Sequence, residues 1–168
     1  TILIGIDGAT FSVLDELMAS GIMPTLSKFS ASAVRARLHT IIPALTPPAW
    51  TSMITGVAPG THGVFDFFRK ESPSSHHIRF VTSRDIAVKD TVWSLANQYG
   101  FRSMALNFPL TFPAPAIEGY VIPGWMPWKQ LSLGCRPSDL YNRLKDLPTF
   151  NPRELAMDMA FEEKALEG

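Results

Sequence analysis

The chain has 168 residues, 46% of them hydrophobic, with 15 lysines and arginines balanced by 15 aspartates and glutamates. That length and hydrophobicity suit one domain with a real core and argue against disorder, while a formal net charge of zero recommends neither nucleic acid nor an anionic membrane as a partner. Cys135 is the single cysteine, which excludes an internal disulfide framework and a cysteine-based zinc site, and fits a reducing compartment.

"TILIGID" at residues 1–7 is a short, nearly continuous apolar run, the pattern of a strand buried on both faces of a parallel sheet and ending at Asp7. "SVLDELMASG" follows with Val13, Leu14, Leu17 and Met18 at helical spacing, Ser12 as cap and Gly21 as stop. "MPTLSKFSAS" predicts a second short helix, and "AVRARLHT" alternates like a half-buried strand. In "TPPAWTSMITG" the prolines suit a first helical turn, which predicts a helix from about Pro48 to Thr55 stopped by Gly56. Thr46 is then either an N-cap or a hydroxyl facing free N–H groups and the positive end of a dipole, where a phosphate is welcome. "IRFVTS" predicts a strand, Asp90 caps a helix over "TVWSLANQYG", "RSMALNF" and "YVIPGW" predict two more strands, and "PSDLYNRLKD" a helix begun by proline.

Strands alternating with helices predict a single α/β domain over residues 1–168, a mostly parallel sheet flanked by helices, with Asp7 and Thr46 near the carboxyl ends of strands, where such folds bind ligands. A carboxylate followed by a glycine suits a metal ligand or a plain turn. A threonine hydroxyl becomes a good nucleophile when a divalent metal stabilises its alkoxide, so Asp7 and Thr46 make chemical sense together. His39, His62, His76 and His77 read as structural or solvated. Arg35, Arg37, Arg69 and Arg102 could neutralise phosphate but read as surface residues, and Trp50, Trp93, Trp125 and Trp128 read as packing. No run reaches membrane-spanning length and no signal peptide precedes the first strand, so a cytoplasmic location is expected.

"IGIDGAT", "MPTLSKF", "IIPALTPPAWTSMITGVAPGTHGVFDFF" and "NFPLTFPAP", in this order, resemble the amino-terminal part of the alkaline phosphatase superfamily, in its type I phosphodiesterase/nucleotide pyrophosphatase branch. The resemblance implies an alkaline-phosphatase-like fold and a metal-dependent phosphoric ester hydrolase. It also implies two divalent ions, zinc or else manganese, with Asp7 as a metal ligand and Thr46 as a nucleophile that is transiently phosphorylated while touching the second metal. The partner it implies is a small phosphate ester or nucleotide-like molecule. Ala49 stands where nucleotide pyrophosphatases carry a phosphoryl-binding asparagine, which leaves nucleotide specificity open.

The family's Asp-x-x-x-His and Asp-His motifs do not occur here. The chain therefore reads as an amino-terminal portion, inactive alone and inclined to self-associate, with Leu155, Met159, Phe161 and Leu166 among the apolar positions left exposed. Two other readings compete: a "GIDGGT"-type phosphate loop of sugar kinases and actin-like ATPases, and a non-catalytic interaction domain. A haloacid-dehalogenase-type site would need an aspartate at position 9, which is Ala9.

Overall fold

The computed structural model describes residues 1–153 and residue 155, and the chain divides into two compact units, Thr1–Thr40 and Ile41–Gly168. In the first unit, α1 (Phe11–Ala19) and α2 (Pro24–Ala31) form a short helical pair. Thr10, two residues before Ser12, occupies the α1 cap, while Gly21 takes the left-handed φ of 77° that lets the chain turn. Neither helix fully buries a residue; Leu14, Leu17 and Met18 are half-buried. Arg35 pairs with Asp15 at 2.7 Å and lies over the Phe11 ring, so this arginine is already neutralised.

The strands expected at residues 1–7 and 33–40 are absent. Ile2, Leu3, Ile4 and Ile6 are exposed, the last at 60%, and no described residue pairs with them in a ladder. An apolar run becomes a strand only when neighbours satisfy its amides and cover its faces, because β-propensity mostly reports that context.

In the second unit α3 (Thr46–Thr55) begins two residues before its expected start, with Leu45 in the cap position, and Gly56 closes it at φ 71°. α4 (Pro59–His62) follows, then β1 (Phe68–Lys70) and β2 (Ile78–Phe80), an antiparallel pair in which Arg69 faces Arg79. α5 (Val92–Gln98) is capped by Thr91, whose hydroxyl accepts from the Ser94 amide, and not by Asp90.

β3 (Ser103–Phe108) and β4 (Gly119–Pro123) run parallel, joined by the proline-rich loop 109–118. Gly119 is required there: its φ is 139°, and a Cβ would sit 1.8 Å from the Ser103 carbonyl oxygen. The Asn97 side chain ties the end of α5 to the start of β4, donating to the carbonyls of Phe101 and Glu118 and accepting from the Glu118 amide at 2.7 Å. α6 (Leu131–Gly134) and α7 (Leu140–Leu144) complete the described part. α7 does not begin at Pro137 because Arg136 exchanges two backbone hydrogen bonds with Val121, which keeps the chain extended there.

The strands found near residues 78, 103 and 119 are those expected. The described sheets, however, are one parallel and one antiparallel pair, so the chain is α/β in the broad sense and a mostly parallel sheet is not what the described residues form. Ile54, Trp93, Ala105, Phe108 and Val121 pack between α3, α5 and the parallel pair, with Trp50 edge-on to Phe108 at 4.7 Å. A second cluster gathers Met126, Leu131, Cys135 and Leu140, with Leu155 against it. Leu155 is thus packed, whereas Met159, Phe161 and Leu166 lie outside the described residues.

Candidate active site

Thr46 is half-buried at the first residue of α3, immediately after an extended Leu45. No side chain caps this helix, so Thr46 is not its N-cap. The backbone donors expected to face its hydroxyl are also fewer than the motif suggests. Pro47 and Pro48 have no N–H to offer, and the Ala49 amide is bonded to the Leu45 carbonyl at 3.1 Å. What the helix start retains is its dipole and a fixed position.

That position is built from below. Pro47 and Pro48 are fully buried, and Thr51 is 1% exposed with its hydroxyl donating to the Pro47 carbonyl at 2.7 Å. His62 is completely buried at the end of α4, where the left-handed Gly63 ends the turn. Its Nδ1 accepts from the Val64 amide at 3.1 Å, which assigns the ring proton to Nε2. Nε2 lies 3.0 Å from the Ser52 hydroxyl. Burial lowers the His62 pKa, and the Pro48 carbonyl opposes that shift. A neutral imidazole carrying its proton on Nε2 cannot take one from Ser52, so this pair is a brace for α3 and not a nucleophile with its base.

Asp7 is an exposed turn residue of the first unit, followed by Gly8 in the left-handed region at φ 67°. It and Thr46 belong to different units. Among the described residues no three His, Cys, Asp or Glu side chains gather closely enough to hold a metal ion.

The other candidates resolve into structure. His39, His76 and His77 are exposed. Trp50 and Trp93 pack in the core, Trp125 stacks on Phe67 at 5.4 Å, and Trp128 lies beneath Lys129 and Arg153. Arg102 lies over the Tyr120 ring, which Arg143 also approaches, and these two guanidiniums lower the phenol's pKa.

Arg69 is committed to Asp85. That buried carboxylate accepts from Arg69 at 3.0 Å, from Arg79 through a two-pronged contact at 2.7 Å, and from the amide and hydroxyl of Thr82. The clasp explains how two arginines can face each other across β1 and β2, since like charges in that register otherwise repel. Hydrogen bonding from Arg79 leads the effects that hold the Asp85 pKa at about 2, against the opposing effect of burial.

A depressed carboxylate pKa stabilises the fold above the unfolded value and loses that contribution as pH falls toward the folded one. Asp85 therefore stabilises the protein above about pH 4, by on the order of 2 kcal/mol, and the contribution fades between about pH 4 and pH 2. Asp85→Asn is expected to cost about 2–3 kcal/mol at pH 7 and to flatten that acid limb. Urea unfolding of both proteins at several pH values measures it, and equal slopes below pH 4 would show that the clasp carries no charge-dependent stability.

A family model for type I phosphodiesterase / nucleotide pyrophosphatase matches residues 1–165 of the 168. No curated protein and no solved structure matches the chain significantly. No helix among the described residues is long and apolar enough to cross a membrane. The span from the "IGIDGAT" turn through the α3 start to the proline-rich loop thus lies within one family pattern, and the chain belongs to the type I phosphodiesterase / nucleotide pyrophosphatase family, hydrolases of phosphodiester and pyrophosphate bonds.

Proposed function

We propose that the protein, in its active form, cleaves a phosphodiester or pyrophosphate bond of a small molecule by attack of the Thr46 hydroxyl on phosphorus. The observation that carries the proposal is that Thr46 stands half-buried at the head of α3, on a helix whose first turn is fixed by buried prolines and the His62 brace. A nucleophile placed on a rigid element meets its target at small entropic cost. In the first step the threonine oxygen loses its proton to solvent and bonds to phosphorus while the bond to the leaving alkoxide or phosphate breaks, giving a phosphothreonine that keeps the other substituent on phosphorus; in the second, water attacks the same phosphorus, the threonine oxygen regains a proton, and the threonine is freed. The dipole of α3 favours the phosphoryl charge in both steps.

Two divalent cations, zinc or manganese, would supply the positive charge that makes a threonine hydroxyl nucleophilic near neutral pH. The Asp7 carboxylate and Thr46 hydroxyl are the oxygen donors this chain offers them, and two donors do not fill a coordination shell of four or more. Further ligands are required, and the alkaline-phosphatase-like architecture inferred for the whole catalytic domain would bring them.

Asp7→Asn replaces a charged ligand by a neutral one of similar size. Metal content of the active protein is expected to fall, together with a drop in turnover of roughly 10–100-fold. Metal analysis of the purified variant beside its rate on a chromogenic phosphodiester decides it; unchanged metal stoichiometry would return Asp7 to the role of a turn residue.

A further inference from the structure

At the far end of α3 from Thr46 the second unit holds a cleft of about 470 Å³, within the size range of small-molecule sites. Ile54, eight residues beyond Thr46 and so about 12 Å along the helix, contributes to its lining. Leu110 and Ile117, from the loop that joins β3 to β4, add apolar surface, and Trp93 of α5 forms part of the wall.

The polar contribution to this cleft is of one sign. Arg84 and Lys89 line it, no aspartate or glutamate does, and neither cation makes a side-chain hydrogen bond or ion pair among the described residues. This contrasts with Arg35, Arg69 and Arg79, each held by a carboxylate. The cleft's hydroxyls are already occupied: Ser83 donates to the Pro113 carbonyl at 2.6 Å, and Ser94 serves the Thr91 cap. Two uncommitted cations over an apolar floor make a complementary surface for a molecule with an anionic head and an apolar body.

We propose that this cleft is a binding site, separate from Thr46, for a small amphipathic anion: a carboxylate or phosphate monoester on a hydrocarbon chain of medium length. Arg84 and Lys89 hold the head, and Ile54, Leu110 and Ile117 cover the tail.

Calorimetric titration of the protein with decanoate, decanol and inorganic phosphate tests this without reference to catalysis. Decanoate is expected to bind most tightly, because it alone satisfies both halves of the cleft. Replacing Arg84 and Lys89 together by alanine should weaken decanoate roughly tenfold or more while leaving decanol unchanged. Ala116→Trp, at an exposed lining position, should block both ligands by filling the space. No binding of decanoate, equal affinity for decanoate and decanol, or decanoate affinity unaltered in both variants would each overturn the assignment.

Discussion

Thr46→Ala is expected to lower phosphoester turnover by at least ~10³-fold, because the variant retains the whole of α3 but no oxygen to attack phosphorus. Its stability should stay within about 1 kcal/mol of the parent, since Leu45 and not Thr46 holds the cap position and alanine suits a helix better than threonine does. The comparison is made on the active protein, with zinc or manganese added, by measuring steady-state rates and urea unfolding side by side. Loss of activity with an unchanged unfolding midpoint assigns Thr46 to the chemistry. A variant that keeps a tenth of the rate, with contaminating phosphatase excluded, would remove it.

The second large effect is expected in stability. His62→Ala empties a fully buried site, strips the Ser52 hydroxyl of a partner and leaves the Val64 amide without its acceptor. The cavity and the lost hydrogen bonds together should cost about 3–4 kcal/mol, or roughly 10 °C in melting temperature. Because α3 leans on this ring, turnover should fall as well, and activity should recover in part with His62→Gln, which can still donate to Ser52.

The imidazole also sets a pH dependence. Burial holds its folded pKa below the ordinary 6.5, so the unfolded chain binds more protons in mild acid. The His62 contribution is complete above about pH 6.5 and declines as pH falls through and below that value. A melting temperature that does not decline from pH 7 to pH 5 in the parent, or declines as steeply in His62→Gln, would mean that His62 is not the titrating brace.

Much of this was written in the local chemistry of the chain. The α3 motif could be read because Pro47, Pro48 and Gly56 constrain backbone angles by themselves, whatever surrounds them, and the start was misplaced by two residues only. β3 and β4 could be read because each combines β-branched or large apolar residues with a terminating proline. Residues 1–7 could not, since an apolar run states a demand for burial without stating whether neighbours meet it. Thr46 looked like a cap for the same reason that it looks like a nucleophile: both roles want a small hydroxyl at a helix start. Backbone geometry, which puts Leu45 in the cap position, removes the cap reading only.

His62 was hidden differently. One histidine among four gives no sign of burial, and the single hint was the "GTHG" setting, whose second glycine adopts φ 79°. Asp85 gave no signal either, because its partners Arg69 and Arg79 come from two strands whose pairing brings them together. The cleft between loop 109–118 and α5 has no sequence signature, being made by Ile54, Arg84, Lys89 and Trp93 from separate elements.

The covalent intermediate is the most direct point of contact with the central claim. The active protein, mixed with a phosphodiester substrate and quenched in acid within a single turnover, should yield a peptide carrying Thr46 with one added phosphoryl group that still bears the ester group retained from the substrate. That species should appear before product release is complete and should be missing from Thr46→Ala. Turnover that proceeds with Thr46 unmodified at every quench time, or a phosphoryl group trapped on another residue, would contradict the account.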